Sequence, residues 1–292
     1  MSELPPLRSF DPIFDPELAR RALAEDIGRG DVTTEATILA DARAIGRIFA
    51  KADGVVAGLP MAELVLRQLD HTATITYEAQ DGDPVARGQT LLRLEGNARA
   101  LLTGERVALN FLGRLSGIAT LAATGAVATR GTRARVVDTR KTTPGLRALE
   151  KYAVRMGGAF NHRSGLDDGI LIKDNHIAAA GSVTEAVARA RAYASHLLKV
   201  ECECETEAQV REALAAGADA ILLDNMPLDA MRTAVELIRA HDPRVIIEAS
   251  GNIGSDPARI VAVAATGVDL ISLGALTHSA PVFDVSLEFD AR

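Results

Sequence analysis

An α/β barrel short of the full eight strands, preceded by a mixed α/β region, is the fold class predicted by this 292-residue sequence. Three observations predict it. From about residue 134 strand-like and helical patterns alternate, the order of parallel strands joined by right-handed crossovers. The strand-like runs are nearly continuous in Val, Ile and Leu, as strands covered on both faces are. Each run also exits into polar residues or glycine, and barrel enzymes keep their chemistry at that end of the strands.

Before the alternation, the patterns predict an amphipathic helix at 16–27, strands at 44–51 and 72–78, and a helix at 60–69. Residues 81–89, with the alternating 90–95 behind them, resemble the turn and strand of lipoyl and biotinyl carrier domains. No modifiable lysine stands at the matching tip, so the segment reads as a structural turn. A long helix at 99–130 follows, with Gly113 and Gly117 as expected breaks. Strands are then expected at 134–138, 169–172, 198–204, 219–223, 245–249 and 268–273, with helices at 145–156, 182–195, 207–216, 228–240 and 256–265. Six strands are two short of a closed barrel. An open doubly wound sheet would carry a glycine-rich turn after its first strand, where this chain has the basic, hydroxylated Asp138-Thr139-Arg140-Lys141-Thr142-Thr143-Pro144. The change of character near residue 113 predicts domains at 1–113 and 114–279, with 280–292 packing back on the first.

Composition sets the limits. At 48% hydrophobic the chain has ample core material, and no window approaches roughly 18 to 20 uninterrupted apolar residues. Residues 1–12 lack the basic-then-apolar order of a signal peptide. A cytoplasmic protein is therefore expected. A net charge of -7, 3% aromatic residues and no Trp argue against a nucleic-acid surface. Cys202 and Cys204 alternate onto one face of a strand and read as small core residues.

Against that acidic background, Arg140, Lys141, Lys151, Arg155, His162, Arg163, Lys173 and His176 crowd into one stretch, which points to an anionic small molecule. Strand by strand, the exits carry Arg140 and Lys141; Lys173, Asp174 and Asn175; Glu203 and Glu205; Asp224 and Asn225; Ser250 and Gly251; and Gly274. In a barrel these share one mouth. The two glycine exits lead toward helices and suit a phosphate. Glu203 and Asp224, at adjacent strand ends among cations, can hold a divalent cation, accept ribose hydroxyls or stabilise positive charge on a sugar; pairing with Lys141 and Lys173 is the structural alternative. Alternation puts Glu201, Glu203 and Glu205 on one face, and spacing does not say which of them leads. His71, His196 and His241 read as solvent-facing, and Arg106 as a helix residue able to pair with Glu105 or Glu150.

The ordered motifs resemble the quinolinate phosphoribosyltransferase family. They are Glu25-Asp26-Ile27-Gly28 with Gly30-Asp31-Val32-Thr33, Gly104-Glu105-Arg106 with Leu109-Asn110, Asp138-Thr139-Arg140-Lys141-Thr142-Thr143-Pro144-Gly145, Asn161-His162-Arg163, Ile172-Lys173-Asp174-Asn175-His176, Leu223-Asp224-Asn225, Ser250-Gly251 and Gly274-Ala275-Leu276-Thr277-His278. The resemblance implies an incomplete seven-stranded α/β barrel with an N-terminal α/β sandwich domain, working as a dimer or a multiple of it. It implies transfer of phosphoribosyl from phosphoribosyl pyrophosphate to quinolinate, with Mg2+ and with loss of carbon dioxide, on the path to NAD. Lys141, Lys173, Glu203 and Asp224 are then the expected catalytic residues. Arg140, His162, Arg163 and Lys173 are expected to hold the quinolinate carboxylates, with Thr139 in the same motif and Arg106 reaching in from a neighbouring subunit. Lys141, Glu203, Asp224, Ser250, Gly251, Gly274 and His278 are expected on the phosphoribosyl pyrophosphate side, Glu203 and Asp224 toward its metal. Two other readings stay open: a paralogue acting on another aromatic acid or base, such as the relatives associated with molybdenum transport, and a non-catalytic sensor of a sugar phosphate.

Overall fold

Asp15 accepts a hydrogen bond from the Glu17 amide and Pro16 opens the first turn, so α1 forms over Pro16–Ile27, as the sequence predicts. The computed structural model describes residues 13–290. They divide into two compact units, one comprising 13–120, Ala148–Gly157 and 280–290, the other Leu121–Arg147 and Gly158–Ser279.

In the first unit, α1 is followed by α2 (Val32–Thr37), β1 (Arg43–Ala50), β2 (Gly54–Val55), α3 (Leu59–Leu69), β3 (Thr74–Tyr77), β4 (Pro84–Val85) and β5 (Thr90–Asn97). The segment read as a structural turn pairs β4 antiparallel with β2. Its Asp81 accepts the amides of Gly58 and Leu59 at 2.7 and 3.0 Å, capping the start of α3 from a distance in sequence. The long helix α4 (Ala98–Ala128) then runs without a break. One 18-residue window of it has a mean hydropathy of 1.3, enough by length and composition for a membrane span, and half of that window is buried. Leu101, Leu112, Leu115 and Ile118 are almost wholly buried in the protein, so the apolar run serves as a core helix.

The second unit carries the alternation. Its strands are β6 (Arg135–Val137), β7 (Ile170–Ile172), β8 (Val200–Cys204), β9 (Ala220–Asp224), β10 (Ile246–Ser250) and β11 (Leu270–Ser272). They pair in the order β6-β11-β10-β9-β8-β7, every pair parallel. On the free side of β6, Val137 makes a parallel bridge to Phe160. The seventh strand is thus reduced to a single bridged residue, too short to leave a pattern in the sequence. The helix expected at 145–156 forms as α5 (Arg147–Met156), and Ala148–Gly157 groups with the first unit. Two helices unforeseen in the sequence, α6 (Asp174–Ala180) and α11 (Ala275–His278), flank the remaining α7 (Val183–Tyr193), α8 (Glu207–Ala215), α9 (Leu228–His241) and α10 (Pro257–Ala264). Cys202 and Cys204 are free thiols with no exposed surface, as core residues should be.

The chain closes with β12 (Val285–Phe289), which pairs antiparallel with β1 and completes a sheet ordered β12-β1-β5-β3. The glycines expected to break α4 have a different purpose. The Phe283 amide donates to the Gly113 carbonyl at 2.9 Å. A Cβ on Gly117 would stand 1.9 Å from the Pro281 carbonyl oxygen. These positions let the backbone leading to β12 cross the helix in direct contact.

Candidate active site

Backbone register places the expected site residues of the second unit at the C-terminal ends of its strands. Ile172 pairs with Cys202, so Lys173 and Glu203 follow side by side, and their side chains form an ion pair of 3.0 Å. Asp224 pairs with Ser250 across β9 and β10. On the far side, Thr139 Oγ1 accepts the Lys141 amide at 3.0 Å, and Thr277 Oγ1 donates to the Lys141 carbonyl at 2.7 Å. A Cβ on Gly274 would sit 3.1 Å from both Lys141 Cδ and His278 Nε2. Glycine there leaves space for a lysine stem and an imidazole.

Phe160 carries Asn161, His162 and Arg163 to the same end. Asp138, with no exposed surface, holds this turn: its Oδ1 accepts the His162 amide at 2.8 Å and its Oδ2 the Asn161 side chain at 2.7 Å. Nε2 of His162 lies 3.3 Å from Oε2 of Glu201 and 3.3 Å from Oε2 of Glu248. Glu248 is 1% exposed and Glu201 9%. Burial pulls the His162 pKa down, but the Glu201 and Glu248 carboxylates facing Nε2 outweigh that and lift it to about 10. Burial and then Glu248 also raise the Glu201 carboxyl. His162 and Glu201 thus both hold a proton more tightly than usual.

The three ligand atoms lie within 4.8 Å of one another, a spacing that would suit a metal ion. The contact at Nδ1 decides otherwise: in the neutral ring Nδ1 accepts the Arg163 amide at 2.7 Å, so the proton sits on Nε2 and no lone pair faces the carboxylates, and the second proton that the carboxylates favour displaces that amide bond. A proton takes the place a cation would fill. Both ring nitrogens of His162 are therefore engaged within the protein. The same contact resolves the three candidate glutamates. Glu201 turns inward to His162, Glu203 meets Lys173 at the mouth, and Glu205 is exposed beyond the strand end.

Arg163 donates Nη1 to the Gly169 carbonyl at 2.9 Å, and burial, then neighbouring Arg140, lowers its pKa. Arg140 Nε is buried with no hydrogen-bond partner among the described residues. The two guanidiniums repel each other, with Glu201 and Asp168 offsetting part of their charge, and forked cations of this kind are suited to carboxylates. Glu203 Oε1 and Asp224 Oδ1 also have no hydrogen-bond partner among the described residues, since Lys173 takes the other oxygen of Glu203 and Asn225 the other oxygen of Asp224. Downstream of Ser250 and Gly251, α10 begins at Pro257 and is already capped by Asp256, so its N-terminus is not the open phosphate site that the glycine exit suggested. Gly251 itself has φ +81°, a backbone that favours glycine.

In the first unit Arg106 is exposed on α4 and has no hydrogen bond or ion pair among the described residues. Glu150, one of its anticipated partners, pairs with Arg114 at 2.7 Å. His71, His196 and His241 are exposed as expected, and His176 Nδ1 accepts the Lys173 amide in a capping interaction. Glu248 and Asp138 escaped the sequence reading. The one available signal was a carboxylate inside otherwise apolar strand runs.

Comparison with known proteins gives a consistent result. Residues 31–116 match the family model described as quinolinate phosphoribosyl transferase, N-terminal domain, and 118–288 the C-terminal domain of the same family. A probable nicotinate-nucleotide pyrophosphorylase [carboxylating] of Synechocystis is 48% identical over 94% of this chain and 92% of its own. The nicotinate-nucleotide pyrophosphorylase [carboxylating] of Mycobacterium leprae is 44% identical over 92% and 95%. Among solved structures, NadC from Streptococcus pyogenes superimposes with a TM-score of 0.89 at 44% identity, covering 98% of this chain and all of that one.

Proposed function

Since this chain belongs to the quinolinate phosphoribosyltransferase family, we propose a division of labour among its residues for the family's reaction. The enzyme transfers phosphoribosyl from phosphoribosyl pyrophosphate to the ring nitrogen of quinolinate and releases pyrophosphate and carbon dioxide, leaving nicotinate mononucleotide, a precursor of NAD. The observation that carries the assignment is the buried, unpartnered Nε of Arg140 beside desolvated Arg163. Arg140 and Arg163 bind the planar carboxylates of quinolinate through their forked donors. Lys173 adds a mobile charge, Thr139 shapes the turn, and His162 holds the Arg163 backbone. Arg106, exposed and unpaired, completes this pocket from the partner in a homodimer or a multiple of it.

Lys141 and His278, with the loops at Ser250, Gly251 and Gly274, receive the phosphates. Both reactants are polyanions, and clustered lysine and arginine remove the repulsion between them. As pyrophosphate leaves, positive charge develops on the ribose, and Glu203 and Asp224 stabilise it. The free oxygens of these two residues are hard donors that fit Mg2+ entering with the diphosphate, a cation that usually keeps several waters and binds through one or two carboxylates. Bound there, it would offset the charge of the leaving group. Once alkylated, the ring nitrogen is cationic, and its charge stabilises the carbanion left on the adjacent ring carbon when the carboxylate departs as carbon dioxide; that carbon then takes a proton from solvent. The residues position and screen, and the first step needs no general base. We place the enzyme in the cytoplasm.

The test is product analysis with purified protein, phosphoribosyl pyrophosphate and Mg2+, supplying quinolinate or nicotinate. Pyrophosphate released together with carbon dioxide from quinolinate alone is the expected result. Turnover of another acceptor, or donor binding without turnover, would overturn the assignment.

A further inference from the structure

Asn225 and Asn252 are the only non-glycine residues with positive φ among the described residues, at 54° and 47°. Left-handed backbone is uncommon outside glycine and asparagine and gathers at functional sites. Both residues lie at the ends of adjacent strands, one position beyond Asp224 and two beyond Ser250, which are paired in register. They are also joined to each other. Asn252 Nδ2 donates to Asn225 Oδ1 at 2.8 Å, and Asn225 Nδ2 donates to Asp224 Oδ2 at 2.5 Å. The Asn225 amide donates to the Ser250 carbonyl at 3.0 Å, tying the two loops together. Gly251 packs against the same group, where a Cβ would stand 2.3 Å from Asn225 Oδ1 and 2.8 Å from Asp224 Oδ1.

An aspartate side chain on a strand end turns easily about its last torsion. Here one oxygen is fixed by a chain of two amides, leaving the other as the single free acceptor. We infer that Asn225 and Asn252 form a positioning relay that sets the Asp224 carboxylate for the metal-diphosphate donor. Neither asparagine touches the reacting atoms; both act through Asp224. The inference rests on the assignment of Asp224 to the donor side. It explains why two asparagines adopt a disfavoured backbone: that conformation turns their amides back toward the carboxylate.

Asn225→Gly separates the two contributions, because glycine adopts the same backbone without strain and lacks only the amide. Calorimetric affinity for phosphoribosyl pyrophosphate with Mg2+, measured without quinolinate, is expected to fall about 10-fold or more, while KM for quinolinate stays within about 2-fold, the scale of effect seen when the outer partner of a liganding carboxylate is lost. Asn252→Gly cuts only the outer link and is expected to fall between wild type and Asn225→Gly. Asp224→Asn is the control. If Asp224→Asn loses donor affinity and Asn225→Gly does not, the relay is refuted. If Asp224→Asn itself keeps full donor affinity, the donor-side assignment of Asp224 fails, and the relay with it. Parallel loss of donor affinity, quinolinate KM and melting temperature in Asn225→Gly would reduce it to a structural turn and likewise overturn the inference.

Discussion

Oε2 of Glu248 stands 3.3 Å from Nε2 of His162, with Glu248 only 1% exposed and a second buried carboxylate, Glu201, at the same distance. Two carboxylates buried this far require the imidazole between them. Removing one partner of a buried pair leaves an uncompensated charge, at a cost of about 3–5 kcal/mol. His162→Ala is therefore expected to lose stability as well as activity. The double variant His162→Ala/Glu248→Gln should recover most of the stability, and denaturant unfolding of both measures it. An unchanged midpoint in the single variant would show that the cluster is not ionised as described.

The same cluster sets a pH dependence. The folded-state pKa of His162, raised to about 10, lies above its ordinary value of about 6.5, and that of Glu201 is also raised. The folded protein then binds more protons than the unfolded chain over this range, so stability declines as pH rises. For His162 the contribution is complete below about 6.5 and lost as pH climbs through about 10. Asp138, Arg163 and Arg140 also face this region, but His162→Gln should flatten the slope between those limits. Melting temperatures at intervals across them are the measurement; an identical slope in the variant would refute the account.

The Lys173–Glu203 pair is 3.0 Å long, yet Lys173 is 47% exposed at its side chain. Glu203 is only 10% exposed, so losing its partner lowers stability modestly, whereas Lys141 has no ion pair among the described residues. Both Lys173→Ala and Lys141→Ala should still fold, Lys173→Ala with a somewhat lower melting temperature, and each should lose about 100-fold or more in turnover, the scale of a lost charge-stabilising donor. Steady-state kinetics beside thermal melts separates the two effects, and near-normal turnover in either variant counts against its role.

Arg106 lends itself to complementation. Arg106→Ala and Lys173→Ala, each inactive alone, should regain activity when their subunits are mixed, because one heterodimer site is then intact. Subunit exchange confirmed by mass spectrometry without any rescue would place Arg106 in the site of its own chain.

Gly117→Ala introduces a methyl 1.9 Å from the Pro281 carbonyl oxygen. Overpacking of this kind costs about 1–3 kcal/mol, here with loosening of the segment that ends in β12. Faster hydrogen exchange in 285–289 with little change in β6–β11 is the expected pattern.

Long elements were legible in the sequence because periodicity accumulates over several residues: α1 and the helix patterns of α7 to α10 appear where expected. Short ones were not. Phe160 contributes one bridged residue, so the strand that delivers His162 and Arg163 had no pattern to detect. The strand exits were legible because a parallel sheet puts every C-terminal end on one side. Glu248 was invisible because its meaning depends on His162, 86 residues away. The glycines of α4 were misread as breaks since a helix crossing is written in the segment that crosses, not in the helix.

The antiparallel sheet of the first unit recruits its outer ribbon, β12, from the tail of the chain, beside a β1 that begins at Arg43. During synthesis the parallel sheet has all its members while β1 still lacks one neighbour. Until the tail emerges, that rim of β1 is an unpaired edge, open to pairing with another chain. Loss of β12 would therefore leave the opening strand without its guard.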